Sequence, residues 1–490
     1  MSPANRIPVL VGAGVAAQRE DDPLQALEPL GLMARALERA GADSGVPGLL
    51  QSANSIRVTK GFWAYSNPGR LLARHIGAVQ ARSELADIGI LQTTPLAEAA
   101  RAIATGEEDV AIVVGGEAKY RSLRESITGR NGPVTVQTDD RPDRLLQPKD
   151  EILSGLELQH GFAMPVQQYA VLENALRHAE GLGFEAHRRE IAELWAGMSR
   201  IAAVNPDAWL REAVSEEELA LASARNPMLA FPYTKRLTSQ WNVDQAAALV
   251  LCSEAVADEW GVAADKRIYP VAAADSNFMA PVVRRCELAR SIGFEATGRS
   301  VLEHAGIGIG EISHLELYSC FPVAVRLQMR AFGLQPGRSI SECGGMAFAG
   351  GPLNNFVFQA MARMVGVLRR DPGSYALVTA VSGMLTKQGV SLWSSARPQP
   401  EFAFADVSAE VERGSRLADL EPQPSGPARV ASYTVIYDGM EPASAVLVCD
   451  LPDGRRTLVR SLDRGFAERA TREEICGRAV ELSAGEPQLI

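Results

Sequence analysis

No cysteine precedes Cys252, and the six in the chain, Cys252, Cys286, Cys320, Cys343, Cys449 and Cys476, include no CxxC pair. Thiols so scattered frame neither a zinc site nor a set of disulfides, and they leave the first half of the chain without a thiol nucleophile. Histidine is scarce too: His75, His160, His178, His187, His304 and His314 include no two at metal-ligand spacing. No metal is expected. No run approaches the roughly 18 uncharged apolar residues of a membrane span. The opening MSPANRIPVLVGAG lacks the charged-then-apolar build of a leader, so a cytoplasmic location is expected. Basic excess is missing as well. A formal charge of -10 excludes a general nucleic-acid or anionic-membrane partner and still allows a local basic pocket.

What is present is an ordinary globular composition, 46% hydrophobic and 22% charged, in a chain of 490 residues that is too long for one core. IPVLVG, DVAIVVGGEA, AAALVLCS, HLELYSCF and YALVTAVSG are apolar runs of strand length, separated by stretches with helical spacing. This alternation predicts α/β architecture with largely buried sheets. TTPLAEAARAIATG reads as a helix: Leu96, Ala99, Ala100 and Ile103 share a face, Thr94 can cap, Pro95 suits the first turn and Gly106 stops it. The GxGxxA in VLVGAGVAAQREDDP imitates a dinucleotide fingerprint. However, Gln18 to Pro23 interrupts the helix that motif must open, so a buried strand, Pro8 to Val11, leaving through a glycine turn is the expectation.

From about Lys149 to Arg225 the pattern is mainly helical, which reads as an insertion, and the strand-rich style then returns to about Ser395. Beyond about Pro400 the chain turns β-rich, with hairpin turns at Asp438-Gly439 and Asp453-Gly454 and with Pro398 and Pro400 as linker chemistry.

The segment GGMAFAGGPLNN, Gly344 to Asn355, has two glycine pairs, a proline and two adjacent asparagines over an apolar run. Its backbone is shaped for close approach rather than for packing, yet it carries no acid, base or nucleophile.

Four segments in order, TTPLAEAARAIATGEEDVAIVVGGEA, SQWNVDQAAALVL, HLELYSCFPVAV and GGMAFAGGPLNN, resemble the landmarks of the thiolase superfamily over roughly residues 5 to 395. The nearest branch is the thiolase-like and sterol-carrier-thiolase one. The C-terminal addition is similar to that of thiolase-like proteins of type 1. The resemblance implies two βαβαβαββ halves in a five-layered αβαβα fold. The first half is residues 1–265, with a helical loop domain at about 120–235; the second half is 266–396; and a small β-rich, OB-like domain covers 400–490. It also implies coenzyme A or acyl-CoA as the ligand, with no covalently bound cofactor.

The family's catalytic set is altered throughout. The family places a nucleophilic cysteine at a helix N-terminus, where the dipole favours the thiolate; the matching GILQTT, Gly89 to Thr94, has only the hydroxyls of Thr93 and Thr94. Gly350, Gly351 and Pro352 stand for Gly-His-Pro, so the activating histidine is lost. Tyr318, Ser319, Cys320 and Phe321 stand for the Asn-Glu-Ala-Phe box, and Ser382 falls where the second cysteine turn belongs. Ordinary thiolysis or condensation is therefore expected to be absent.

Tyr318, Asn354, Asn355 and Ser382 could form neutral hydrogen-bond donors around a carbonyl, or could merely satisfy local backbone. Cys320 is either a small buried hydrophobe or an unrecognised nucleophile, and Thr94 either a cap or a nucleophile. Lys235 and Arg236, ahead of Ser239 and Asn242, match the loop that faces the thioester, and with Gly350 and Gly351 they are the residues assigned to the CoA ester. Lys119, Arg121 and Arg124 are further basic candidates. The chain is expected to bind acyl-CoA as an acyltransferase by family without ordinary thiolysis. The readings left open are retro-aldol or other non-covalent C–C chemistry using Tyr318, a non-enzymatic CoA-ester-binding protein or partner subunit, and a conventional acyltransferase with an unrecognised nucleophile such as Cys320. A monomer is expected if the appended β-rich domain covers the edge strand through which thiolases pair, and a homodimer otherwise.

Overall fold

The structure, a computed structural model, describes residues 6–138, 140–399, 401–483 and 486–489. The first five residues of the opening segment and the linker's Pro400 lie outside the described residues.

In chain order the strands are β1 (Pro8–Gln18), β2 (Ser55–Thr59), β3 (Arg82–Ala86), β4 (Val110–Ala118), β5 (Arg144–Leu146), β6 (Met228–Ala230), β7 (Tyr233–Thr234), β8 (Asp244–Ser253) and β9 (Tyr269–Ser276). They continue as β10 (Ile312–Glu316), β11 (Tyr375–Ser382), β12 (Lys387–Ser394), β13 (Ala403–Asp406), β14 (Gly426–Asp438), β15 (Glu441–Asp450), β16 (Arg456–Ser461), β17 (Ala479–Ser483) and β18 (Glu486–Leu489). One sheet runs β1-β8-β4-β2-β3-β5 and a second β10-β11-β12-β9-β13. Every residue of β4 and β8 is buried, as expected of strands covered on both faces.

Two helices, Thr93–Thr105 and Phe356–Arg370, lie between these sheets and touch both. Pro29–Ser44 and Pro68–Ile76 cover the outer face of the first sheet, and Ile292–Ala305 covers that of the second. The layers are therefore αβαβα. The sandwiched position explains why Thr93–Thr105 is alanine-rich and buried on both faces, with Leu96, Ala97, Ala99, Ala100, Ala102 and Ile103 all inside. Gly106 ends it in the left-handed conformation, φ +76°.

Three expectations change. β1 does not leave at a glycine turn; it continues through the GxGxxA motif to Gln18, pairing with β8 throughout. Its glycines admit the helix Pro29–Ser44, since a Cβ on Gly12 or Gly14 would lie 2.3 Å from Ala40 O or 2.2 Å from Ala36 O. The strand of HLELYSCF stops at Glu316, so Tyr318 stands in the connection to the helix Pro322–Phe332. The free edge of β3 is covered by β5, paired in parallel from Glu84↔Arg144 to Ala86↔Leu146, and not by the C-terminal unit.

That unit forms its own antiparallel sheet, β16-β15-β14-β17-β18, which begins at Gly426, while β13 still adds to the second sheet beside β9. The Asp438-Gly439 turn joins β14 to β15. β6 crosses over to pair with β14 at Ala230↔Ile436, which ties the helical insertion to the C-terminal sheet.

Candidate active site

The two sandwiched helices begin beside each other. Gln92, the residue before Thr93–Thr105, accepts a hydrogen bond from Val357 N at 2.8 Å, in the first turn of Phe356–Arg370. The positive ends of both helix dipoles therefore meet at Gln92. The Tyr318 hydroxyl lies beside the same side chain. Tyr318 is held by its backbone, with N donating to Thr379 Oγ1 at 2.8 Å and O accepting from Gln328 Nε2 at 2.9 Å, and its ring meets Phe356 edge to face. Burial pushes its phenol well above the ordinary range, with Gln92 pulling slightly the other way. Tyr318 is thus a neutral donor and not a base.

The glycine loop packs directly against this tyrosine's segment. Met346 N donates to Ser319 Oγ at 3.0 Å, Gln240 N to Met346 O at 3.0 Å and Gly351 N to Gln240 O at 2.8 Å. A Cβ on Gly351 would lie 1.9 Å from Ser239 Oγ. The place where a histidine side chain would begin is filled by a serine hydroxyl. Gly350, φ +105°, abuts Gln245 in the same way, its Cβ falling 2.2 Å from Gln245 Oε1.

The remaining predicted residues separate into groups. Thr94 does not cap: the helix starts at Thr93, and both hydroxyls donate to Asp275 on β9, Thr93 at 2.5 Å and Thr94 at 2.6 Å. The two bonds to this buried carboxyl hold both hydroxyls in place, and neither caps the helix. Asn354, φ +57°, donates to Lys60 O at 3.0 Å and shapes the loop. Asn355 is fully buried, and its side-chain oxygen and nitrogen have no partner among the described residues. Cys320 is buried beside the Tyr169 hydroxyl and its thiol is pushed up to about 12 by burial, which keeps it protonated. Ser382 ends β11 partly exposed, before a turn in which Gly383, Met384 and Leu385 all have positive φ, +60°, +54° and +65°. Two non-glycine residues in that region mark a strained turn.

Lys235 and Arg236 line a cavity of about 580 Å³ together with Arg19, Arg211 and Arg225; Trp209, Ala347 and Phe348 are in its wall, and Glu212 is its acid. Ala347 and Phe348 belong to the glycine loop, so the cavity opens against the loop that borders Tyr318. Arg236 is paired with Glu218 at 2.8 Å. Arg19 stacks over Trp209 and Tyr120. Ser239 sits at Gly351 and Asn242 beside Trp241, neither in the lining of this cavity. Lys119 lies over the Phe62 and Trp241 rings, while Arg121 and Arg124 pair with Glu125 and Asp21. Among the described residues no group of three or more His, Cys, Asp or Glu side chains could hold a metal ion, and no helix is long and apolar enough to cross a membrane.

Sequence reasoning missed Gln92, although it lies within GILQTT, and it missed Tyr169, Arg19, Trp209, Arg211 and Arg225. Only Gln92 had a signal, its place one residue before the threonine pair.

No protein-family model and no curated protein matches the chain. Among solved structures, it is similar to the monomeric SCP2-thiolase like protein type 1 (STLP1) from Mycobacterium smegmatis, with 27% identity, 99% of each chain covered and a TM-score of 0.83. The chain belongs to the thiolase superfamily. Two further solved structures share its fold at lower identity. The Ltp2-ChsH2(DUF35) aldolase is 18% identical over 81% of this chain and 100% of that one, with TM-score 0.61. Human mitochondrial 3-ketoacyl-CoA thiolase in complex with CoA is 18% identical over 79% and 98%, with TM-score 0.57.

Proposed function

We propose that this thiolase-superfamily protein binds acyl-CoA, with the nucleotide phosphates in the basic cavity at Lys235 and the thioester beside Tyr318, and that it carries out no thiolysis through a covalent intermediate. The cavity carries this reading. Five cations converge there in a chain of net charge -10, a concentration that suits a polyphosphate. Trp209 and the Arg19 stack offer a flat face for a nucleobase. A neighbour of the same fold was solved in complex with CoA.

What surrounds Tyr318 supports the reading that covalent catalysis is absent. Gly351 has no room for a base, the Thr93 and Thr94 hydroxyls are committed to Asp275, and Cys320 keeps its proton. The remaining groups there are neutral donors, the Tyr318 hydroxyl and the Gln92 amide, while Val357 N is taken by Gln92 and Phe358 N by Asn355 O. Such donors stabilise an oxyanion or enolate and cannot accept an acyl group. The test is calorimetric titration of CoA into the full chain at low and moderate salt. Saturable binding that weakens with salt is expected; binding absent at both overturns the assignment.

A second reading is favoured by the tyrosine and by the likeness to an aldolase. In retro-aldol cleavage of a β-hydroxyacyl-CoA, the hydroxyl proton passes to solvent water, the Cα–Cβ bond breaks to give a carbonyl compound and the thioester enolate, and the enolate takes at Cα a proton that the donor then regains from solvent. Tyr318, which holds its proton, suits the last step. If β-hydroxyacyl-CoA is cleaved, Tyr318→Phe lowers kcat far more than it raises KM. Equal kcat in the two proteins removes Tyr318 from the chemistry.

A further inference from the structure

Behind the turn that follows Ser382 is a second, smaller cavity, about 60 Å³, between the second sheet, the start of the helix Ile292–Ala305 and residues Ser415–Leu417. Leu172, Leu327 and Leu385 give it an apolar wall, and Arg285, Arg290 and Arg416 line its polar side together with one acid, Glu287. Two of these arginines are already neutralised: Arg290 by Glu295 at 2.6 Å, and Arg416 by Glu287 at 3.5 Å. Arg285 is different. Its Nε donates to Ala280 O at 2.9 Å and its Nη2 to Gly383 O at 3.3 Å, and no carboxylate stands within ion-pair distance of it among the described residues.

Partly buried arginines such as Arg284, Arg338, Arg363 and Arg460 also bond to carbonyl or hydroxyl oxygens without a carboxylate, but none of these lines this cavity, and full burial of a guanidinium goes with a carboxylate partner. Arg57, Arg121, Arg177, Arg326 and Arg456, the most buried, face Glu108, Glu125, Glu474, Glu173 and Asp450. The acid whose field reaches Arg285, Glu157, is occupied by the Ser154 backbone and by Val283 N at 3.0 Å. Desolvation holds the Arg285 guanidinium down at about 10. A cation left this way at a cavity wall is stabilised by an anion brought from outside.

A second polar group on the same wall is unmet. Gln388 is 3% exposed and lines the cavity; its Nε2 donates to Leu385 O at 2.8 Å, but its Oε1 has no partner among the described residues. That oxygen lies against Gly293, in the first turn of the helix, where a Cβ would come within 1.8 Å of it. Filling the cavity with hydrocarbon would strand both groups at a cost. A carboxylate answers the arginine, and a hydroxyl or a water that accompanies it answers the glutamine.

The cavity is linked to the candidate site through Tyr169, whose hydroxyl meets Cys320 and which lies within the fields of both Tyr318 and Arg285, and Arg285 Nη2 also bonds to Gly383 O. We propose that this cavity binds a carboxylate at the far end of the acyl group, so that the preferred ligand is an ω-carboxyacyl-CoA. The proposal rests on the acyl-CoA reading above and names its substrate class.

The test is equilibrium binding of succinyl-, glutaryl- and adipyl-CoA against butyryl-, pentanoyl- and hexanoyl-CoA, with the full chain and with Arg285→Gln. At one chain length at least, the carboxylated ester is expected to bind about tenfold tighter, and Arg285→Gln to abolish that ratio while leaving the plain esters unchanged. Equal affinities at every length in the unmodified protein, or a ratio that survives Arg285→Gln, overturn the proposal. The first comparison stands even if the variant does not fold. If no CoA ester binds, the acyl-CoA reading fails by itself; free glutarate in a thermal-shift assay then decides this cavity, with stabilisation lost in Arg285→Gln supporting an anion site and no stabilisation refuting it.

Discussion

The hydroxyl of Ser239 occupies the position from which a side chain at Gly351 would grow, 1.9 Å from that Cβ. The contact locks the glycine loop against the 239–240 segment and makes the two residues a coupled pair. Gly351→Ala is expected to lower stability by about 1 to 3 kcal/mol through overpacking, and Ser239→Gly in the same chain to recover most of it. Denaturant melts of the two single variants and the double variant measure the coupling; strict additivity would show that the two positions do not compete for space.

Asp275 gives a pH dependence of stability. Burial lifts its carboxyl to about 7 from the ordinary 3.8, against the pull of the Thr93 and Thr94 hydroxyls. Between those values the folded chain keeps a proton that the unfolded chain releases. The resulting penalty is absent below about pH 4, grows with rising pH and is complete above about pH 7. Asp275→Asn removes it. Its stability relative to the unmodified protein is therefore expected to rise across this window, by at most about 1.4 kcal/mol per pH unit, and to level off above it. A difference that stays constant with pH would show that Asp275 is ionised in the folded state.

The legible and illegible parts divide by distance along the chain. Leu96, Ala99, Ala100 and Ile103 sit one helical turn apart, so their helix could be read directly, as could the Asp438-Gly439 hairpin. The lost histidine was readable because Gly351 keeps its place between Gly350 and Pro352. The basic cavity was not, since Arg19, Arg211 and Lys235 meet only through the fold. Thr94 was misread for the same reason: its partner, Asp275, is 181 residues away and on the other sheet. β5 was missed because three residues without an apolar pattern give no strand signal.

β5 itself leads to a prediction about assembly. It is fastened to the edge strand by Asp143, which accepts from Ser83 N at 2.7 Å and Ser83 Oγ at 3.0 Å, and by Arg144, which meets Glu84 of that strand at 3.3 Å and Glu98 of the helix Thr93–Thr105 at 2.7 Å. An edge covered in this way cannot pair with a second copy. Light scattering is expected to give a monomer, and Asp143→Ala with Arg144→Ala to give concentration-dependent association. A native dimer, or a double variant that stays monomeric at high concentration, contradicts the covering role.

Lys235 is exposed at the basic cavity, and Arg236 is partly neutralised by Glu218. Lys235→Ala is therefore expected to weaken CoA binding more than Arg236→Ala does. The double variant should lose about 1 to 3 kcal/mol, as for charged hydrogen bonds to phosphate. Calorimetry at low salt measures both; unchanged affinity in the double variant would move the nucleotide elsewhere.

The central claim is a thiolase fold that holds a CoA thioester without taking its acyl group. Its most direct test is to saturate the full chain with acetoacetyl-CoA under conditions where binding is measured by calorimetry, then to quench the sample and weigh the intact protein. The expected result is saturable binding with the unmodified protein mass. A mass increase equal to an acyl group, mapping to Cys320, Thr94 or any other side chain, would contradict it.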